Sequence, residues 1–178
     1  MIQTLKLDIP KQLNLKIISI LTNMQKWKMA SDVSTSKERI DRLLTTNVYD
    51  GGFYYESYNL LKKINDESEL NLYAETILFS VLEKLKLENS IPIRFWWNYY
   101  NRSSRGEFHK DYLEDNMYSF VYSLNTNNGG TYIENENNFF KSNEGEVLFF
   151  KSNQKHMGIG PKDMCSRFNL NCVFKHDN

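Results

Sequence analysis

The spacing of apolar residues divides this chain near position 91. Upstream, residues 11–25 (KQLNLKIISILTNMQ) carry Leu15, Ile18 and Leu21 at intervals of three to four, and residues 57–87 continue with Leu60, Leu61, Ile64, Leu72, Ile77, Leu78, Val81, Leu82 and Leu85. An interval near 3.6 puts such residues on one side of a helix, so both stretches predict amphipathic helices. Two short strands are expected among them, Trp27 to Val33 and Gly52 to Tyr58. Downstream the apolar runs shorten and turn residues interrupt them repeatedly. Strands are expected over 91–100, 107–113, 117–125, 130–134, 138–141, 146–151, 155–159 and 165–174, separated by NRSSRG, LEDN, NTNNGG, NEN, SNEG, SN and GIGPKD. Gly, Asn, Ser and Pro fill those breaks because they suit the dihedral angles of tight turns. Short strands at this frequency predict an antiparallel sandwich or barrel with helices packed on one outer face. The expected fold class is therefore mostly β with supporting helices: a helical N-terminal half over residues 1–90 and a β core over 91–174.

Composition narrows the functional classes. A chain of 178 residues is expected to form a single domain over 1–178. Its 22 Lys and Arg balance 22 Asp and Glu, so no net charge points to nucleic acid or an anionic membrane as an obligatory partner. No apolar run approaches the roughly 20 residues of a membrane span, and the opening MIQTLKLDIP lacks a secretory pattern. A cytoplasmic location is expected. Cys165 and Cys172 fall on one predicted strand, which makes free thiols the better reading than a disulfide. Aromatic residues make up 14 % of the chain, which suggests a core built from Phe, Tyr and Trp.

There are only three histidines, so each placement carries information. His109-Lys110-Asp111 lies in a predicted strand, where residues two apart point to the same face. His109 and Asp111 can then aim at one metal ion, and His156, near the end of a later strand, can supply a third ligand. Two imidazoles and one carboxylate on one face of an octahedron suit iron(II) and leave three positions open. A His-x-Asp pair alone is common on polar surfaces and would carry little weight. What raises it here is the distal histidine on a later strand and Arg167 on the last one. His176, in the tail KHDN, is read as exposed and without a catalytic role.

Alternation along the last strand sets Arg167, Asn169 and Asn171 on one face and Phe168, Leu170, Cys172 and Phe174 on the other. The apolar face belongs under the helices, so Arg167 is expected to line the barrel. A buried guanidinium there calls for an anionic partner, either a ligand or a protein carboxylate.

The pattern His109-Lys110-Asp111, His156 and Arg167 resembles the 2-oxoglutarate/Fe(II)-dependent dioxygenases of the prolyl-hydroxylase-like group. YSLNTNNGG (122–130) looks like that family's strand ending in Leu-Asn before a Gly-Gly turn, and EGEVLFFKSNQKHMGIGP looks like the strands leading to its distal histidine. The resemblance covers roughly residues 91–174. It implies a double-stranded β-helix, the cupin-like jelly roll, with Fe(II) held by His109, Asp111 and His156. It also implies 2-oxoglutarate as co-substrate, gripped at its far carboxylate by Arg167, with O2 as oxidant and ascorbate as a possible reductant. Tyr99, which shares a face with Phe95 and Trp97, is the tyrosine expected against the co-substrate, with Tyr100 selected instead if the register shifts by one. Asn171, on the Arg167 face, is a further candidate for binding it.

The resemblance implies oxidative decarboxylation of 2-oxoglutarate to succinate and carbon dioxide, coupled to hydroxylation of an unactivated C–H bond. Asp111 separates the chain from related halogenases, which lack this carboxylate. The leading substrate is a prolyl or other amino-acid residue, in a peptide or free. Nucleobase hydroxylation is a second reading, which would need a basic aromatic groove from Arg94, Arg102, Arg105, Trp96, Trp97, Tyr99 and Tyr100. A cupin-like module binding a metal or small ligand without turnover is the third.

Overall fold

The computed structural model describes residues 2–25, 27–29, 52–66, 68–102, 104–106, 108–134, 138–163 and 166–177. Two antiparallel sheets face each other, consistent with the jelly roll expected, and two helices cover the outside of the larger one. The larger sheet has eight strands, in the order β1 (Ile2–Lys6), β9 (Glu146–Lys151), β6 (Met117–Ser123), β11 (Arg167–Lys175), β5 (Ile91–Tyr100), β3 (Gly52–Asn59) and β2 (Lys28–Met29), with β4 (Ile64–Asn65) paired to β3. The smaller sheet runs β10 (His156–Ile159), β7 (Gly130–Ile133) and β8 (Asn138–Lys141).

Alternation explains the layering. Phe95 and Trp97 of β5, Phe120 and Tyr122 of β6, Val147 and Phe149 of β9, and Leu170, Cys172 and Phe174 of β11 all face the helices. Against them pack Ile17 and Leu21 of helix α1 (Lys11–Asn23) and Ala74, Ile77, Leu78 and Val81 of helix α2 (Glu69–Leu85). The residues between them point inward, and Val121, Leu148 and Phe150 meet Ile133 of the smaller sheet. Each side chain of this size contributes about 1.5–3 kcal/mol when fully buried. Two local signals bound α2. Ser68 occupies the N-cap with Glu69 in the first turn, and Lys86 ends the helix in the left-handed region at φ 57°.

Three expectations meet a difference in the structure. The N-terminal half is helical in part: among its described residues α1 and α2 are helices, while β1 and β3 join the larger sheet. The helix expected over 57–87 begins at Glu69, because residues up to Asn59 pair with β5 and Leu60 and Leu61 are exposed in the turn that follows. Of the strand expected from Trp27 to Val33, Lys28–Met29 is seen, and residues 30–33 lie outside the described residues. The third concerns 107–113, which is not a continuous strand. Among the described residues, one isolated bridge ties this stretch to β10, His109 to His156, and a second lies just before it, Arg105 to Ile159. Four steps along one chain there face three along the other, so the ladder slips and cannot propagate.

Candidate metal centre

His109, Asp111 and His156 converge. Each offers one ligand atom, and these atoms lie within 4.8 Å of one another. The convergence is built by the main chain. His109 N–H donates to the His156 carbonyl and His156 N–H to the His109 carbonyl, both at 2.9 Å, while Asp111 N–H donates to the Ser152 carbonyl at 3.0 Å. An irregular segment thus achieves what alternation along a strand was expected to do.

The donors are pre-oriented. Nδ1 of His156 lies 2.9 Å from the Gln154 carbonyl, which assigns the proton to Nδ1 and leaves Nε2 to face Asp111. Nε2 of His109 also faces that carboxylate, at 3.5 Å. The Ser119 hydroxyl donates to Asp111 Oδ2 at 2.6 Å and shares a second hydrogen bond, 2.8 Å long, with Ser152. With Oδ2 so engaged, Oδ1 is the oxygen left for a metal. Both serines are buried, and sequence reasoning missed them because nothing in the pattern marks a serine as a partner of a ligand.

Burial works to raise the Asp111 pKa, but His156 and His109 beside it and the Ser119 hydroxyl outweigh this and hold it below the usual carboxylate range. For His156, burial dominates and lowers the pKa, keeping the ring neutral and able to ligate. The side chain of His109 is 52 % exposed whereas those of Asp111 and His156 are nearly closed off, so the site opens to solvent on the His109 side. Two imidazole nitrogens, one carboxylate oxygen and one open side match the donor chemistry of iron(II).

From this mouth a polar column runs into the barrel. Asn171, Asn169 and Arg167 follow one another along the inner face of β11, with Asn98 and Tyr100 opposite on β5. Arg167 is 1 % exposed. It donates to the carbonyls of Gly130 (2.5 Å) and Ile159 (3.2 Å) and to the Thr131 hydroxyl (3.0 Å), while its Nε has no partner. Among the described residues no carboxylate pairs with it. Burial lowers the guanidinium pKa to about 10. Both side-chain polar atoms of Asn169 are likewise buried without partners, and Asn171 donates a long bond to the Trp96 carbonyl. A cavity of about 20 Å³ touches Arg167, Thr131, Ser123 and Ser142.

The tyrosines resolve by face. Tyr99 pairs with Phe168 and stacks on it at 4.9 Å, on the helix side and away from Arg167. The expectation for Tyr99 is corrected: Tyr100 is directly opposite Arg167, with its ring 4.9 Å from the guanidinium carbon. Gly158 makes this possible, since a Cβ there would fall 2.2 Å from the Tyr100 hydroxyl. The basic aromatic groove does not assemble, because Trp97 and Tyr99 pack under the helices whereas Trp96 and Tyr100 face inward.

A larger hollow of about 640 Å³ is lined by Phe108, Tyr132, Met157 and Ile159. These alternate with the inward-facing residues of β7 and β10, so the hollow lies behind the metal centre rather than over it. His176 is half-buried and hydrogen-bonded to Ser90, away from the centre. Cys172 is a buried free thiol on the helix side; Cys165 lies outside the described residues.

No known family profile matches this sequence, and no curated protein matches it. Solved structures do. A prolyl-4-hydroxylase from Pseudomonas putida aligns with 99 % of this chain and 92 % of its own, at a TM-score of 0.63 and 14 % identity. A prolyl hydroxylase from Trichoplax adhaerens, solved with a hypoxia-inducible-factor peptide, aligns over 99 % and 83 %, at 0.65 and 16 %. HygX from Streptomyces hygroscopicus, solved with nickel and 2-oxoglutarate, aligns over 98 % and 82 %, at 0.65 and 9 %. This chain has the fold of the 2-oxoglutarate/Fe(II) oxygenases. In that fold His109, Asp111 and His156 converge on the side open to solvent, and Arg167 is buried inside the barrel. Among the described residues, no helix is long and apolar enough to cross a membrane.

Proposed function

We propose that this protein is an Fe(II)- and 2-oxoglutarate-dependent dioxygenase that hydroxylates an unactivated C–H bond of a prolyl or other amino-acid residue. One observation carries the reading: a His-Asp-His donor set opens onto a polar column that ends at a buried arginine with which no carboxylate pairs among the described residues. His109, Asp111 and His156 would hold the iron, which when bound supplies the oxygen chemistry, converting 2-oxoglutarate and O2 to succinate and carbon dioxide as R–H becomes R–OH.

The chain's own residues bind and orient. Arg167 receives the far carboxylate of 2-oxoglutarate through its donors, and Tyr100, Asn169 and Asn171 offer further hydrogen bonds along the way. The cavity beside Arg167 holds roughly one water, so a five-carbon acid has to displace the side chains that line it. The Ser119–Asp111 bond holds one carboxylate oxygen on the protein, which would leave the other to hold the metal. Phe150, edge-on to the His156 ring at 4.7 Å, helps to exclude water from the inner side. Similarity of fold to prolyl hydroxylases favours a peptidyl substrate, although HygX shares that fold too, so the substrate rests on chemistry at the mouth. The test is oxygen-dependent release of succinate from 2-oxoglutarate by the iron-loaded protein. A protein that binds metal and 2-oxoglutarate yet never forms succinate would be a binding module instead.

A further inference from the structure

We propose that Arg94 is a substrate-positioning residue, donating to main-chain carbonyl oxygens of an extended peptide at the mouth of the metal centre. The inference rests on the dioxygenase reading above and names the substrate class for that site.

The sheet register locates Arg94. Ser119 pairs with Val173, and Val173 with Arg94, so the three form one row across β6, β11 and β5. At about 4.8 Å between strands, Arg94 stands about 10 Å along that row from Ser119, the residue that holds Asp111. Tyr112, next in the chain after Asp111, packs with Trp96, Ile93 and Val173 in the same inner cluster. Arg94 therefore flanks the metal ligands on the side where β5 and β3 extend the larger sheet.

Its guanidinium is held in place before any ligand arrives. The guanidinium carbon lies 4.4 Å from the centre of the Trp96 ring, and Nε donates to Glu56, whose carboxylate also accepts from Asn59 at 2.8 Å. Burial acts to raise the Glu56 pKa, but Arg94, Asn59 and Lys62 together lower it, so the carboxylate stays charged. A pair that serves only to tie β3 to β5 needs Nε alone. The two Nη groups, with four N–H donors, have no partner among the described residues, and the side chain is 24 % exposed. Pre-orientation, spare donors and access to solvent together describe a recognition group.

Charge selects the ligand. Glu56 already neutralises Arg94, so a second carboxylate arriving there would sit close to the first. A neutral acceptor avoids that repulsion, and an extended peptide presents carbonyl oxygens at regular intervals along one side. A capped peptide should therefore bind, whereas a free amino acid should not.

The test measures binding to the metal-free protein by calorimetry, and separately the KM and kcat of the iron-loaded protein. The probe is a pool of N-acetylated, C-amidated octapeptides varied at the central residue, compared with the free amino acids. Arg94→Met should weaken peptide binding and raise the peptide KM by about tenfold or more, the usual consequence of losing hydrogen bonds from a charged donor. Glu56→Gln breaks the same ion pair but keeps the guanidinium, so it should lose less. Equal losses in the two variants, with matching falls in melting temperature, would reduce Arg94 to a strut between strands and overturn the proposal. So would a wild type that binds free amino acids but no capped peptide. Peptide binding lost in Arg94→Met from a protein that never releases succinate would instead retain the subsite and reject the dioxygenase reading.

Discussion

Replacing Arg167 by Met should separate the stability of this fold from its capacity to hold a dicarboxylate. The guanidinium is fully buried, and the burial that lowers its pKa to about 10 costs on the order of 3 kcal/mol of desolvation. Offsetting this are three hydrogen bonds, to Gly130, Ile159 and Thr131, each worth about 1 kcal/mol or somewhat more. The two sides nearly cancel. Unfolding of the ligand-free variant should therefore shift by no more than about 2 kcal/mol, or roughly 4–8 °C in melting temperature for a chain of this size. Co-substrate binding should change far more, because its carboxylate would enter the barrel unpaired at a cost of about 2–5 kcal/mol. At about 1.4 kcal/mol per tenfold, the dissociation constant rises from some thirtyfold to a few thousandfold. Anaerobic titration of 2-oxoglutarate into the iron-loaded protein, followed by the metal-to-ligand absorption band, measures this directly. Arg167→Lys should fall between, since an ammonium restores charge without the forked geometry. An unchanged midpoint in Arg167→Met would make the arginine structural and refute the assignment.

His109→Ala and His156→Ala should each abolish stoichiometric iron binding, measured by metal analysis after desalting. His109→Ala should leave the melting temperature near wild type because its side chain is half-exposed, whereas the buried His156 should cost stability as well. Ser119→Ala should weaken metal affinity by about 10- to 100-fold, as loss of a ligand's hydrogen-bonding partner does, with far-ultraviolet circular dichroism unchanged; wild-type affinity would mean that Asp111 needs no support. Cys172→Ser should retain iron while losing about 1–3 kcal/mol of stability from a buried hydroxyl. The native thiol should resist iodoacetamide, because burial pushes its pKa up.

Several strands after position 91 could be read from sequence because they are short and bounded by turn formers. β5, β8 and β9 fall on the expected ranges, and β11 differs by a residue or two. The convergence of His109, Asp111 and His156 was legible because histidines are few and two of the three fall where segments of the chain meet. What failed depended on information that one sequence lacks. FWWNYY is aromatic on both faces of a doubly covered strand, so no alternation tells Tyr99 from Tyr100. Leu60 and Leu61 imitate a helix face although they lie in an exposed turn. β1 is an edge strand whose IQTLK alternates too briefly to register, and it forms because β9 offers a free edge. The slip beside His109 arises from main-chain pairing with β10, which no side-chain pattern reports.

Arg167 starts on the larger sheet, yet its two carbonyl acceptors, Gly130 and Ile159, are register partners in the smaller one. One side chain therefore acts as a clasp between the two walls of the barrel. A carboxylate seated on that guanidinium would be sensed by both walls at once, and the energy of loading would be shared with the energy of closure. The empty barrel should then breathe along β7 and β10 first, and amide hydrogens there should exchange more slowly once the co-substrate is in place. In such a protein the vessel is tightened by its own contents.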